Sequence, residues 1–299
     1  MKNDKALFRR ENMDFEKKVI EIIKKRKSIR SFRDDPIPDE DYKKIEAYLQ
    51  NEENLVGPRG KKGRFQIVPV NRDTTENGVK IGTYGFIKNP RAYIVGIMEN
   101  DKEALVEFGY IFEKLILYLT YLNIGTCWLG GTFNRNSFKE EIDLQGNEFI
   151  PCITPIGYST ENKRMMDKTI RFFAGSDNRK PWKDMLFLSD FNTMLTKEKA
   201  KDFEAPLEML RMAPSASNKQ PWRVLVDENK ERIHFYLEHT LTYGEKLGFE
   251  IQRIDMGIAM RHFDLTCKRL NINGRWKTKK PKVSVPNEQF EYIITWEKN

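Results

Sequence analysis

Two short stretches carry most of the chemistry that the sequence offers. RKSIRSF at 26–32 sets Arg26, Ser28 and Arg30 at alternate positions just beyond a segment of helical periodicity. If that strip is extended, all three side chains point one way, so one ligand would meet two guanidinium forks and a hydroxyl. Such forks match phosphate and planar carbonyl edges better than lysine ammonium groups do. The same cations could simply favour a helix C-terminus, and spacing alone leans toward that plainer role. APSASNKQPW at 213–222 leaves a helix through small polar residues and enters a strand. Ser215, Ser217, Asn218 and Gln220 offer donors and acceptors of both kinds, while Pro214 and Pro221 limit the loop's freedom. Such a loop can hydrogen-bond the edge of a heteroaromatic ring, or it can be an ordinary helix-to-strand turn with local side-chain-to-backbone bonds.

Other chemistries find little support. His234, His239 and His262 show no HExxH pattern and no spacing to carboxylates that suggests a metal, so no metal site is expected. Cys127, Cys152 and Cys267 form no CxxC pair and leave an odd count, which argues for small core residues rather than disulfides.

The elements needed to position the two stretches are those of an α+β protein. Helices are expected at 14–26, at 39–50 behind the acidic opening Asp39, Glu40 and Asp41, and at 103–122, with strands at 65–70, 92–98 and 152–157. Further on, helical sequence runs from 196 to 212, broken at Pro206, and again from 250 to 270, with strands at 222–227, 232–237 and 290–296. The polar, Pro-bearing stretch at 176–190 reads as a connector, and the expected division is 1–188 and 189–299.

Comparing the chain with itself reveals a repeat. EFGYIFEKLILYLTYLNIGTCW at 107–128 aligns without a gap to DMGIAMRHFDLTCKRLNINGRW at 255–276, at a constant offset of 148 (255 − 107). Gly109 falls on Gly257, Leu117 on Leu265, and the LNI run with a Trp four residues later recurs at 122–128 and 270–276. FIPCITPIGY at 149–158 and FEYIITWEK at 290–298 give a second, weaker correspondence between late strands.

Composition limits the partners. With 39% hydrophobic and 32% charged residues the chain reads as folded and globular rather than disordered. The net charge of +8 comes with basic clusters at 24–27, 61–64 and 277–282, but these are short and lack interleaved aromatics for stacking. Nucleic acid is therefore not expected, whereas an anionic small ligand would use the same charge. The most apolar stretch, 108–130, carries Glu113 and Lys114 and is too polar for a lone membrane span. The N-terminus is charged throughout and lacks the apolar core of a secretory signal, so no membrane partner and a cytoplasmic location are expected.

Taken together, the motifs resemble the nitroreductase family of FMN-dependent oxidoreductases. RxSxRxF near the N-terminus, APSxxNxQPW, a long helix ending in a Gly-rich turn (LNIGTCWLGG at 122–131), then GY and an Arg shortly before a Pro are that family's motifs. An ordinary member holds them within a chain of roughly two-thirds this length, and two chains pair to build FMN sites from both subunits. Here the first half reads GPRGKKGRF at 57–65 where PSxxNxQPW is due, and the second half has no RxSxR before ASNKQPW. The resemblance thus implies a nitroreductase-like fold in which two repeats form an intramolecular pseudo-dimer, keeping one composite FMN site per chain and losing the other.

Carried over residue by residue, the resemblance implies that Arg26 and Ser28 hold the FMN phosphate and ribityl chain. Arg30 faces the pyrimidine edge, where its charge favours the reduced flavin. Pro214, Ser215, Ala216, Ser217 and Asn218 cover the ring from the other half, Gln220 supports the loop, and Leu129, Gly130 and Gly131 bring main chain close to the ring. Arg179 takes the place of the late phosphate-binding Arg, although Asp177 stands where another basic residue is due. The GTYGF loop at 82–86 falls where the family contacts the ring. The implied activity is ping-pong transfer of hydride from NAD(P)H to FMN and of electrons onward to a nitroaromatic, quinone or similar acceptor, with the cofactor carrying the chemistry. A flavin-binding sensor or carrier without turnover is the alternative. Either way a monomer suffices for the site, with further association left open.

Overall fold

Apolar residues at helical spacing form the centre of the molecule. The computed structural model describes residues 2–70, 85–139, 141–160 and 178–299. Helix α1 (Lys2–Lys25) buries Phe15, Val19, Ile22 and Ile23 on one stripe. It begins well before the expected residue 14, because 2–13 are rich in Lys, Glu, Ala, Leu and Arg, all good helix formers. Helix α2 (Asp39–Gln50) follows, its three acidic residues in the first turn as expected. Strands β1 (Arg64–Pro69) and β2 (Ala92–Glu99) pair antiparallel, and β2 also pairs with β3 (Glu148–Phe149) and β4 (Ile153–Ile156). Between them run α3 (Lys102–Tyr121), whose N-cap Asp101 accepts from the Glu103 and Ala104 amides, and the short α4 (Asn136–Lys139).

A second sheet has the order β5 (Leu186–Leu188), β6 (Trp222–Val226), β7 (Arg232–Glu238), β9 (Phe290–Lys298), β8 (Gly274–Lys277), parallel only between β5 and β6. The stretch expected to be a connector therefore contains a strand, and a division at 188 falls at its end. Helices α5 (Lys197–Ala200) and α6 (Glu204–Arg211) replace the single broken helix expected at 196–212. The break is at Lys201, whose φ is positive at 51°, and Pro206 sits in the first turn of α6. A first-turn proline removes an amide that has no intrahelical partner anyway.

Helix α7 (Ile251–Arg269) packs along α3, and the repeat acquires a physical basis in their crossing. A Cβ on Gly109 would lie 2.0 Å from the Ile254 carbonyl oxygen, and a Cβ on Gly257 would lie 2.0 Å from the Val106 carbonyl oxygen. Each contact is the other shifted by 148 residues, so the helices cross at equivalent points. The shared LNI run is also explained. Asn123 (φ 61°) and Asn271 (φ 58°) terminate α3 and α7 in the left-handed region, and the amides of Ile124 and Ile272 return to the carbonyls of Leu119 and Cys267.

Polar groups fix the register of this crossing. His262 Nε2 and Glu113 Oε1 are 2.8 Å apart, His262 Nδ1 lies 2.9 Å from the Met209 carbonyl, and the Trp128 indole donates to Glu113 Oε2 at 2.8 Å. The Arg261 guanidinium covers the Tyr110 ring at 3.3 Å, and the Tyr110 hydroxyl donates to Asp264. Because Trp128 precedes Leu129, Gly130 and Gly131, this network anchors the turn that carries them.

Candidate functional site

Arg26 still closes the last turn of α1, its N–H bonded to the Ile22 carbonyl, and from Ser28 onward the strip runs along neighbouring main chain. Ile29 N–H donates to the Thr126 carbonyl at 2.7 Å, Ser28 pairs with Thr126 and Ser31 with Lys88, while Ile29 packs against Gly125. The 125–129 segment is held in turn by β4 and its continuation, with Gly125 bonded to Gly157 and Leu129 to Ile153. Arg26, Ser28 and Arg30 consequently share one wall of a cavity of about 740 Å³, within the range that holds cofactor-sized ligands. Leu129, Gly130 and Gly131 line the same cavity.

The same cavity is also lined from the other half. Pro214, Ser215, Ala216, Ser217 and Asn218 line the cavity, as does Arg179. The loop is strained: Ser217, Asn218 and Gln220 all have positive φ, at 48°, 53° and 50°. Non-glycine residues hold that conformation only where surrounding bonds over-determine it, which is common at ligand clamps. Here the bonds are many. The Gln220 amide nitrogen donates to the carbonyls of Asn178 and Asn218, its side-chain oxygen accepts from Lys180 N–H at 2.8 Å, and its own N–H donates to Ser215 Oγ. Arg179 donates to Asn218 Oδ1 at 2.8 Å, so the late arginine and the loop form one unit. Gln220 is buried and outside the cavity lining, acting on the site only through this loop.

A match to a family model described as "Putative TM nitroreductase" covers residues 18–267, which takes in both walls of the cavity. The chain belongs to this nitroreductase family. Among solved structures, it is similar to a Thermotoga maritima protein described as a "putative nitroreductase", at 21% identity over 93% of each chain, with a TM-score of 0.58. It is also similar to an FMN-dependent nitroreductase from Clostridium difficile, at 25% identity over 49% of this chain and 92% of that one (TM-score 0.37). A nitroreductase family protein from Clostridium novyi matches at 24% identity over 50% and 89% (TM-score 0.37). A search of curated proteins finds no match.

Several cavity residues of this nitroreductase-family chain were not singled out by sequence. Ile251, Ile254, Asp255 and Ile258 project from α7, and Tyr243 and Leu247 come from the segment before it; of the basic cluster at 24–27, Lys24, Lys25 and Lys27 line the cavity beside Arg26. Tyr243 donates to Ser217 Oγ at 2.9 Å. Asp255 could have been found, because the repeat aligns it with another acid, Glu107. Gly130 and Gly131 also leave room for side-chain ends on the other half: a Cβ there would meet Ile251 Cδ1 at 2.6 Å and Leu247 Cδ2 at 3.1 Å. Of the GTYGF loop, Phe86 lines the cavity, while residues 82–84 lie outside the described residues, as does Asp177.

The two aligned acids do the same work in the two halves. Asp255 Oδ1 accepts the Ala216 N–H at 2.9 Å, and Glu107 Oε2 accepts the Arg59 N–H at 2.8 Å. The segment around Arg59 is thus the counterpart of the Ala216 loop, but it is closed: a Cβ on Gly57 would lie 2.3 Å from Glu107, and the Arg59 guanidinium donates to the Ile293 carbonyl in β9. Burial pushes the Glu107 carboxyl up to about 7, opposed by the Arg59 N–H. The native state therefore keeps a proton that the unfolded chain releases from about pH 4.5 upward, and stability falls as pH rises from there to about 7. Glu107→Gln should remove this term, leaving the variant more stable than the parent at pH 8 by up to about 3 kcal/mol, with little gain at pH 4.5. Urea unfolding at the two pH values checks it, and a variant weakened equally at both would show that Glu107 is ionised in the fold.

His239, Glu250 and Glu291 lie close enough to suggest a cation site. His239 Nδ1 is 2.5 Å from Glu250 Oε1 and its Nε2 is 2.9 Å from Glu291 Oε2, and Arg253 donates to both carboxylates. With imidazole and guanidinium already engaging these oxygens, the group is an ion-pair network that ties the start of α7 to β9. Among the described residues, no helix is long and apolar enough to cross a membrane.

Proposed function

We propose that the chain is an FMN-dependent oxidoreductase that takes electrons from NAD(P)H and delivers them to a small acceptor such as a nitroaromatic or a quinone. One observation carries this reading: a single cavity is walled by the Arg26–Arg30 strip from the first half and by the Pro214–Asn218 loop from the second. The residues fit the cofactor. Arg30 Nη1 is buried without a hydrogen-bond partner among the described residues, a cost that a ligand acceptor would relieve. Arg26, Ser28 and Arg179 suit a phosphate, and the Ala216–Asn218 loop suits the polar edge of a flat ring. When bound, FMN supplies the hydride and electron chemistry, so no side-chain nucleophile is needed.

The two halves act as an internal pseudo-dimer, supported by the reciprocal glycine crossing and by the paired Glu107 and Asp255 contacts. A monomer then suffices for the site. Three free, buried cysteines accord with a reducing cytoplasm. Arg30 places fixed positive charge beside the ring and favours its reduced, more negative form. Arg30→Ala should therefore lower the reduction potential of bound FMN, read by dye equilibration; an unchanged potential would remove Arg30 from this role. The function itself is tested by adding NADH or NADPH anaerobically to the FMN-loaded protein. Rapid bleaching, with colour restored by a quinone or nitroaromatic, is expected. Bound FMN that neither nucleotide bleaches would make the protein a carrier or sensor.

A further inference from the structure

Asp255 stands out among the cavity residues. It is 2% exposed and lines the cavity from the second turn of α7; Oδ1 accepts the Ala216 N–H, while Oδ2 is buried with no hydrogen-bond partner among the described residues. An ionised carboxylate with one idle oxygen in such a place carries a heavy desolvation cost. Burial indeed pushes this carboxyl well above the usual carboxylate range, with the Ala216 N–H opposing the shift. Its titratable neighbours Tyr243 and Cys152 are themselves held neutral chiefly by burial.

Glu107 separates two possible duties of such an acid. It holds the Arg59 amide just as Asp255 holds Ala216, although its own loop is closed. Anchoring the loop therefore needs one oxygen only and needs no ligand. Glu107 Oε1, like Asp255 Oδ2, is buried without a hydrogen-bond partner among the described residues, so the difference between the two acids is that Asp255 lines the open cavity, where a ligand can supply a partner.

We propose that Asp255 is a positioning residue that works as a carboxylic acid: Oδ1 holds the Ala216 loop and Oδ2–H donates a hydrogen bond to an acceptor atom of the bound cofactor. The inference rests on the flavin reading of this cavity. A buried acid held neutral so that it can donate is an arrangement that apolar surroundings favour. It complements Arg30, giving the ligand one charged and one neutral donor from different halves of the chain.

Infrared difference spectroscopy on the full-length protein tests this, because the carbonyl stretch of a protonated carboxyl stands apart from that of a carboxylate. The wild-type minus Asp255→Asn spectrum should show one protonated-carboxyl band, and adding FMN to the wild type should move that band to lower frequency. Asp255→Asn, which keeps an acceptor for Ala216 and a donor for the ligand, should bind FMN within about threefold of wild type, whereas Asp255→Val should lose at least about tenfold. If the Asn variant does not fold, Asp255→Glu assigns the band by shifting it. A protein that binds FMN but shows no protonated Asp255 band, or a band that FMN leaves in place, overturns the proposal and spares the flavin reading. A wild type that takes up no FMN overturns both.

Discussion

Gly257→Ala should destabilise the protein by about 3 kcal/mol or more, and Gly109→Ala by a similar amount, at the upper end of what overpacking does. A single methyl has this effect because of what it meets. The added carbon would stand 2.0 Å from a main-chain carbonyl oxygen of the facing helix, at Val106 in one case and Ile254 in the other, so no side-chain rotation relieves it. The helices must separate, and with them the apolar core between α3 and α7 loosens. Since the cavity draws Asp255 and Ile258 from α7 and Leu129–Gly131 from the turn after α3, FMN uptake should fall along with stability. Equal damage from the two variants in urea unfolding would follow from reciprocal contacts. A loss below about 1 kcal/mol in either, a value ordinary for surface changes, would mean that the crossing is not tight there.

Arg26→Ala should weaken FMN binding by about 1.5–3 kcal/mol, or roughly 10- to 150-fold in Kd, the size of a charged hydrogen bond lost at a phosphate. Arg26 follows the last residue of α1, its N–H still bonded to the Ile22 carbonyl at 2.8 Å, so its backbone is fixed before the chain turns extended. Lys62→Ala removes an exposed cation paired with Glu52 on another face and should leave Kd within about twofold. Titration of FMN fluorescence quenching measures both, and an unchanged Kd for Arg26→Ala would dissociate the strip from the phosphate.

Much of this was legible in the sequence, for reasons that differ by element. Helices α3 and α7 and strands β2, β6 and β7 carry apolar runs that end up buried along nearly their whole length, and α2 shows its acidic opening turn, so local pattern and tertiary packing agree. The repeat was legible because both copies must solve one steric problem, two glycines at a crossing, and one backbone problem, an asparagine in the left-handed region at a helix end. Strands β5 and β8 were not legible: they are three and four residues long and exist because β6 and β9 present free edges. Pro206 misled because proline breaks a helix interior but opens a helix readily, and the true break at Lys201 has no marked residue type. In the site, the residues with distinctive spacing, Arg26, Ser28, Arg30 and the 214–218 loop, line one cavity. Tyr243, Leu247 and Ile251 reach the cavity through tertiary placement alone.

The composite site is tested most directly by counting flavin. Protein saturated with FMN and freed of excess should release, on denaturation, one FMN for each polypeptide. That ratio follows from one strip and one loop meeting at an open cavity while the counterpart segment is closed by Glu107 and Arg59. Two FMN per chain would contradict the closed second site, and none would contradict the flavin reading as a whole.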